Sequence, residues 1–388
     1  MKPETHMETT ETTTDGARAV EASVIIPTYN RRTLLAEALE HLGRQTLPAS
    51  SFEVVVVVDG SKDGTWEMLR ELKTPYRLRA VFQDNAGAGS RVYTSGVSEA
   101  RNKGAGIAQG RVLVFLDDDV LPRPALLEEH LRFHRQSAPC VVLGRLLPAK
   151  DTGKKGWNRW EERIFQRHYV AMSAGLRRPS GWRLYSANFS VDRRSFQDVS
   201  GFGQGLGNIR GEDVDLGLRL ERRGVQFYFS PKAAAVHRGF RSFVSWRNAA
   251  YTLGSRDVLL AKNYQLVQPL IQTLRGYQRS SFITRNLVQL YLQSELVRSA
   301  TVKALRAVSG ALSFLTPHGV AHYGYGALFK LEYWRGTADA LGGPAALRAH
   351  VAGPGSVRPR GEREAVHPTD SSGALEELPP SLRTGREP

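Results

Sequence analysis

The sequence predicts an α/β fold in which a mostly parallel sheet is flanked by helices. Short apolar runs rich in β-forming residues recur along the first third of the chain. Amphipathic helical patterns lie between these runs, and this alternation is typical of βαβ units. The run over residues 112–116 is apolar without interruption, as expected for a strand covered on both faces of a parallel sheet.

The predicted elements follow in the order strand, loop, helix. The first strand covers residues 23–27, and apolar positions at 34, 35, 38, 39 and 42 predict the helix after it. The valine-rich run at 53–58 predicts a central strand, and turn residues 59–64 separate it from a helix over 65–72. A strand at 78–82 and a helix from about 97 to 109 lead to the strand at 112–116.

Three aspartates, Asp117, Asp118 and Asp119, come directly after this last strand. Open α/β sheets bind ligands at the carboxyl ends of their strands. Adjacent carboxylates repel unless a cation lies between them, and such hard oxygen ligands suit Mg²⁺ or Mn²⁺. The pattern therefore suggests a divalent-metal site that holds a diphosphate. The alternative is a solvated acidic turn that caps the next helix.

Composition limits the class of protein. The chain has 388 residues, one cysteine and a net charge of +15. The single Cys140 excludes an internal disulfide framework and is expected to be a small core residue. The sequence shows no zinc-finger spacing and no aromatic RNA-binding signature, so we rank phosphate-bearing substrates or an anionic membrane surface above nucleic acid.

Targeting signals are not found. No run of about eighteen apolar residues predicts a membrane span, and the N-terminal residues carry no apolar signal-peptide core. We therefore expect a cytoplasmic protein, either free or peripheral at the inner face of a membrane.

Four segments are predicted. Residues 1–20 and 342–388 are expected to be disordered because they are poor in apolar residues or rich in Gly, Pro, Arg and Glu. Residues 21–240 are expected to form the α/β domain and residues 241–341 a helical region, with helices near 243–262, 266–275, 282–308 and 323–341. These helices can pack as a cap, form an oligomer surface or lie on a membrane.

Five motifs resemble family 2 glycosyltransferases of the GT-A fold. They are PTYN (27–30), VDGSKDGT (58–65), ARNKG (100–104), FLDDD (115–119) and GEDVDLGLRL (211–220), in the order and at roughly the distances of that family. The sequence departs from the family pattern at Val58, where many members have another aspartate, and between residues 85 and 96, where the loop is longer. The resemblance implies an inverting, metal-dependent transferase that moves a sugar from a nucleoside-diphosphate sugar to a hydroxyl group.

The resemblance also implies the site residues. The metal ligands would be Asp119, Asp117, which could instead lie nearer the ribose, and His237, with Mg²⁺ or Mn²⁺ as the ion. The expected catalytic base is Asp213, with Glu212 as the second choice, since both open a helix whose dipole favours the ionised form. The residues expected to bind the nucleotide-sugar are Pro27, Thr28, Tyr29, Asn30, Asp59, Arg101, Asp117 and Asp118.

The expected partners are a nucleotide-sugar, with a UDP-sugar as the first choice, and a glycan, a lipid-linked or another hydroxyl acceptor. Residues 182–190 are predicted to form a strand on the acceptor side, with Asn188 available to a sugar hydroxyl, and the glycine-rich residues 201–211 a mobile loop. The aromatic residues near Trp157 and Trp160 could bind a sugar ring or simply pack. The alternative functions are a non-catalytic sugar-nucleotide or glycan-binding protein and a nucleotidyltransferase.

Overall fold

The computed structural model describes residues 20–83, 93–137, 139–150, 155–203, 211–265, 277, 282–315 and 320–352. The chain divides into two compact units. Unit 1 consists of residues 1–150 and 178–239, and unit 2 of residues 151–177 and 240–388.

The strands are β1 (Ala22–Thr28), β2 (Phe52–Asp59), β3 (Arg77–Gln83), β4 (Val112–Leu116), β5 (Val120–Pro122), β6 (Cys140–Pro148), β7 (Asn188–Asp192) and β8 (Gln226–His237). The helices are α1 (Arg32–Leu42), α2 (Thr65–Glu71), α3 (Tyr93–Ile107), α4 (Leu126–Gln136), α5 (Gly156–Ser173), α6 (Arg193–Asp198), α7 (Glu212–Arg222), α8 (Phe243–Asn263), α9 (Phe282–Gln293), α10 (Glu295–Leu315), α11 (Val320–Leu341) and α12 (Pro344–Ala352).

The described strands of unit 1 form one sheet in the order β3-β2-β1-β4-β7-β6-β8-β5. The pairs β1–β2, β1–β4, β2–β3 and β6–β8 are parallel, whereas β4–β7, β6–β7 and β5–β8 are antiparallel. The prediction of an α/β fold with a mostly parallel sheet is therefore confirmed, and antiparallel β7 joins its two parallel parts.

Alternation along β2 explains how the sheet is covered on both faces. Val54, Val56 and Val58 pack in the core that includes α1, α2 and α4, whereas Val55 and Val57 pack against α3 on the opposite face. All eight residues of β2 are buried. A continuous run of valine is therefore stable here because neither face of the strand meets water.

Unit 2 is helical, and its core is aromatic. Trp160 of α5 lies 5.7 Å from Trp246 of α8 and 4.8 Å from Phe329 of α11, measured between ring centroids. The fully buried Glu332 of α11 accepts a hydrogen bond from Arg247 Nε of α8 at 2.6 Å. The buried charge is thus paired, which offsets part of its desolvation cost.

The assignment of α5 differs from the sequence prediction. Residues 21–240 were expected to form one domain, but residues 151–177 belong to unit 2. The reason is the aromatic packing of α5, in which Trp157 lies 5.2 Å from Phe243. The packing alternative is therefore correct for Trp157 and Trp160, whereas Phe165 on the same helix is exposed.

Several elements differ from the prediction. The strand expected at 182–190 covers Asn188–Asp192 instead, after a 3-10 turn at Gly181–Arg183. The helix expected at 282–308 is divided at Ser294, whose hydroxyl accepts a hydrogen bond from the Val297 amide at 3.3 Å and so caps a new helix. Helix α12 lies beyond residue 341, where the helical region was expected to end.

Several predictions lie outside the described residues. They concern residues 1–19, most of the loop at 85–96, the centre of the 201–211 loop, the helix at 266–275 and residues 353–388. A search of the described helices found none that combines the length and apolar character needed to span a bilayer.

Candidate active site

The carboxyl ends of β1, β2 and β4 meet at one edge of the sheet. Strand β1 lies between β2 and β4 and is parallel to both. Thr28, Asp59 and the turn Asp117–Asp119 therefore lie at the same edge, as the sequence predicted from the alternation of strands and helices.

Two of the three aspartates are buried and share one arginine. Asp118 and Asp119 are both buried. Arg31 Nη1 lies 3.0 Å from Asp118 Oδ1 and 2.7 Å from Asp119 Oδ2. The Thr28 hydroxyl donates to Asp118 Oδ2 at 2.8 Å. Burial raises the pKa of the Asp118 carboxyl to about 6, although Arg31 and the Thr28 hydroxyl favour its ionised form.

Pairing of β5 with β8 brings His237 to the same carboxylates. Val120 is the register partner of His237. Because Asp119 directly precedes Val120, this pairing places the imidazole close to Asp119. His237 Nε2 lies 3.6 Å from Asp119 Oδ1, and the His237 side chain is partly exposed. A Cβ at Gly239 would lie 2.5 Å from Asp119 Oδ2 and 3.0 Å from His237 Nε2. A side chain at this position would therefore force the Asp119 carboxylate to shift and would crowd the imidazole.

These groups fit a divalent cation. Carboxylate oxygens of Asp118 and Asp119 already converge on the cationic Arg31, and an imidazole nitrogen lies beside Asp119. Oxygen and imidazole donors suit Mg²⁺ and Mn²⁺. Of the predicted ligands, Asp119 and His237 are brought together. Asp117 instead directs its Oδ1 to Arg101.

Arg101 joins the acidic turn to the start of α7. Its Nη2 donates to Asp117 Oδ1 at 2.8 Å, and its Nη1 lies 3.6 Å from Glu212 Oε1. The guanidinium lies 5.4 Å from the centroid of the Phe202 ring and is almost completely buried. One buried cation therefore holds a carboxylate from each of two regions that are distant in sequence.

The two acidic residues that open α7 differ in their surroundings. Glu212 is paired with Arg101, and its Oε2 accepts from the Gly211 amide at 3.0 Å. Asp213 Oδ1 accepts from the Val214 amide at 2.8 Å, and the residue is only partly buried. The first turn of a helix favours ionised carboxylates. Both carboxylates thus lie where the ionised form is favoured, and Glu212 is the one paired with Arg101.

The residues predicted to bind a nucleotide differ in how deeply they are buried. Pro27 and Thr28 are buried within β1, whereas Tyr29 is exposed. Asn30 stabilises the neighbouring loop. Its backbone amide donates to Ser61 Oγ at 2.9 Å, and its side-chain Oδ1 accepts from the Lys62 backbone amide at 2.8 Å. Of the wall predicted from Pro27, Thr28 and Tyr29, the tyrosine is the member that solvent reaches.

Asp59 lies at the end of β2 beside β3. Gln83 Nε2 donates to Asp59 Oδ1 at 2.8 Å, and Gly96 of α3 faces Asp59 Oδ2 so closely that a Cβ would lie at 2.6 Å. Strand pairing explains the contact, since Asp59 and Gln83 are register partners. The contact fixes the orientation of the carboxylate.

The prediction that Asn188 is available to a sugar hydroxyl is wrong. Asn188 is fully buried, and its Nδ2 donates to the Ala233 carbonyl at 2.9 Å. Its Oδ1 lies 3.0 Å from His130 Nε2, and burial lowers the pKa of His130 to about 4. Alternation along β7 directs Asn188 and Ser190 towards α4, where they satisfy buried histidines.

A second group of ligand-like side chains is buried next to this network. His134, Cys140 and Asp192 have candidate ligand atoms within 4.8 Å of one another. Asp192 Oδ2 accepts from the Cys140 amide at 2.8 Å and lies 3.2 Å from His134 Nδ1. Burial raises the pKa of the Cys140 thiol to about 12, so the neutral thiol is favoured in this core. These contacts satisfy the polar groups of a buried core. The position of Cys140 in that core agrees with the prediction.

Arg31, Gln83 and Gly239 were not among the predicted site residues. Arg31 directly follows the PTYN motif, and Gly239 lies two residues after His237. The positions of Arg31 and Gly239 beside predicted site residues could have indicated that they belong to the site. The contact between Arg31 and the aspartates spans 87 and 88 residues, which no local pattern reveals.

Comparisons with known proteins identify the domain. Residues 23–199 match the model of glycosyl transferase family 2. This segment contains four of the five motifs, so the predicted resemblance to family 2 glycosyltransferases is confirmed.

Curated relatives agree with this identification. The chain is 33% identical over 237 residues to validoxylamine A glucosyltransferase of Streptomyces hygroscopicus subsp. jinggangensis, covering 55% of this chain and 54% of that protein. It is 38% identical over 215 residues to glycosyltransferase AglE of Haloferax volcanii, covering 55% and 66%. The chain thus spans about half the length of the first of these relatives and just under two thirds of the second.

A solved structure supports the fold. The mannosyltransferase PcManGT from Pyrobaculum calidifontis, in complex with GDP-Man and Mn²⁺, superposes with a TM-score of 0.57 at 18% identity. The match covers 83% of this chain and 87% of that protein. The predicted GT-A fold is therefore confirmed.

Proposed function

We propose that this protein is an inverting, metal-dependent glycosyltransferase that moves a sugar from a nucleoside-diphosphate sugar to an acceptor hydroxyl. The contact of Arg101 with both Asp117 and Glu212 carries the proposal. It joins the acidic turn, which suits a metal and a diphosphate, to the helix start that carries Asp213. A transferase needs these two functions on opposite sides of one sugar, so their proximity supports transfer.

The donor side consists of Tyr29, Asp59, Asp117, Asp119 and His237. In our proposal Tyr29 contacts the base and Asp59 accepts a hydrogen bond from its edge. Asp119 and His237 would hold the cation, which when bound would supply Lewis-acid stabilisation of the diphosphate leaving group. Asp117, oriented by Arg101, lies nearer the ribose.

The acceptor side consists of the first turn of α7. Asp213 accepts the proton of the attacking hydroxyl, and the new bond forms at the anomeric carbon as the bond to the diphosphate breaks. One base on the face opposite the leaving group gives a single displacement with inversion. Glu212, held by Arg101, positions the helix start and is the second choice for the base.

A donor screen tests the proposal. Thermal unfolding is measured with UDP-, GDP- and dTDP-sugars, each with and without Mn²⁺. We expect one nucleotide class to raise the melting temperature only when Mn²⁺ is present, because ligand binding to the folded state stabilises it. The UDP class is the first choice. Absence of stabilisation by every donor would contradict the proposal and favour a different ligand for this fold.

Replacing Arg31 by methionine is expected to strengthen binding of Mn²⁺ alone by roughly five- to tenfold. Arg31 pairs with Asp118 Oδ1 and Asp119 Oδ2, so its positive charge lies beside a proposed metal ligand and opposes binding of a second cation there. The half-exposed ion pair is worth only about 1 kcal/mol, which sets the size of the effect. Isothermal titration with Mn²⁺ measures it.

The matched control is Arg44→Met, because Arg44 is an exposed arginine near the same helix, α1, that pairs with Glu40. This control should leave Mn²⁺ affinity unchanged. If Arg31→Met bound Mn²⁺ no better than the unaltered protein, Arg31 would not compete with the cation.

A further inference from the structure

Helices α9 and α10 of unit 2 expose large apolar side chains. Phe282, Leu287 and Leu290 of α9 are exposed, as are Leu296 and Val308 of α10, with Leu296 at 84% and Phe282 at 72%. These five residues define the α9–α10 apolar face. Isolated exposed leucines are common, but five large apolar residues on two consecutive helices form an unusual concentration.

The exposed residues of α10 follow the helical period. From Leu296 they continue through Ala300, Ala304, Ala307 and Ala311, whereas Val302 and Ser309 on the other side of the helix are buried. One side of the helix is therefore buried within unit 2. The opposite side is also apolar, and the described residues of unit 2 do not cover it.

The charges beside this face are almost all positive. Over residues 282–315 the basic residues are Arg285, Arg298, Lys303 and Arg306, and the acidic residue is Glu295. Lys303 and Arg306 are exposed, and the Arg306 guanidinium lies 4.5 Å from the centroid of the Phe243 ring. An apolar face bordered by cations is complementary to the headgroup region of an anionic bilayer, where apolar side chains enter the acyl boundary and cations meet phosphates.

We propose that the α9–α10 apolar face binds the surface of an anionic membrane, with the helices lying in the interface plane. A second copy of the chain is a poorer occupant. It would bring the same cations to the contact, and this face carries no acidic patch to pair with them. The net charge of +15 adds a long-range attraction to the same surface.

Vesicle sedimentation with the full chain tests the proposal. The unaltered protein is mixed with phosphatidylcholine vesicles or with vesicles that contain phosphatidylglycerol as well. We expect binding to the mixed vesicles, little binding to the neutral ones, and weaker binding at high salt, because salt screens the cations. Failure to bind the anionic vesicles would overturn the proposal.

The apolar contribution is tested with Leu290→Gln/Leu296→Gln. We expect this double variant to bind anionic vesicles about tenfold more weakly, since two leucines lose their apolar contact with lipid. The control is Leu176→Gln/Val244→Gln, which alters two exposed apolar residues of unit 2 outside the face and should bind normally. Circular dichroism checks that both variants keep their helices.

Two other outcomes would also reject the proposal. One is equal loss of vesicle binding in both double variants. The other is a dimer in light scattering that Leu290→Gln/Leu296→Gln dissociates, because the face would then bind a second copy. Vesicle binding requires no nucleotide, so this result is independent of the donor screen.

Discussion

Asp213→Asn is expected to reduce glycosyl transfer by about 10²- to 10⁴-fold, the usual contribution of a general base. The amide keeps the shape of the side chain and can still accept from the Val214 amide, so the start of α7 should be unchanged. It cannot take a proton from the acceptor hydroxyl. Initial rates with saturating donor measure the loss, and the Mn²⁺-dependent thermal shift with donor should remain within error of the unaltered protein.

The control for Asp213 lies on the same helix. Glu221 is an exposed acid near the end of α7, and Glu221→Gln should transfer at the normal rate. Glu212→Gln separates the two candidates for the base, because Glu212 is held by Arg101 and should act mainly through position. A normal rate for Asp213→Asn together with an inactive Glu212→Gln would reverse the assignment.

Asp119→Asn is expected to abolish stabilisation by donor in Mn²⁺ and to weaken Mn²⁺ binding by about 100-fold, the order found when a metal site loses a ligand or its supporting group. The neutral amide is a poor ligand for a hard cation, and it removes the charge beside His237. Titration with Mn²⁺ and thermal shift with donor measure the two effects separately.

Asp198→Asn is the matched control for Asp119, because Asp198 is an exposed aspartate at the end of α6. Its metal affinity and donor stabilisation should be normal. Retention of full Mn²⁺ affinity by Asp119→Asn would exclude this carboxylate as a ligand and would move the metal site elsewhere.

The local pattern of the sequence was sufficient for the first half of the sheet. Strands β1, β2 and β4 are buried on both faces, so their apolar runs are unbroken and easily recognised. The acidic turn after β4 was placed correctly at the sheet edge because parallel strands end together.

The rest depended on contacts between distant residues. Arg31 has the same local sequence signal whether it is solvated or paired with Asp118, and the pairing is visible only in three dimensions. Asn188 was predicted to be available to a sugar hydroxyl because its strand was expected on the acceptor side, whereas in β7 its side chain is buried against His130. For Trp157 and Trp160 the sequence left ring stacking and packing open, because no local pattern reveals that their partners lie as far along the chain as Trp246 and Phe329.

The position of α5 also affects how the protein can fold during synthesis. Unit 1 is interrupted by residues 151–177, and the apolar partners of Trp160 include Trp246 and Phe329. The ribosome must therefore add most of the remaining described helices before this indole acquires these two neighbours. During synthesis there is thus a stage at which all residues of unit 1 have been made, while α5, which lies between its two segments, still lacks most of the helices that form its core.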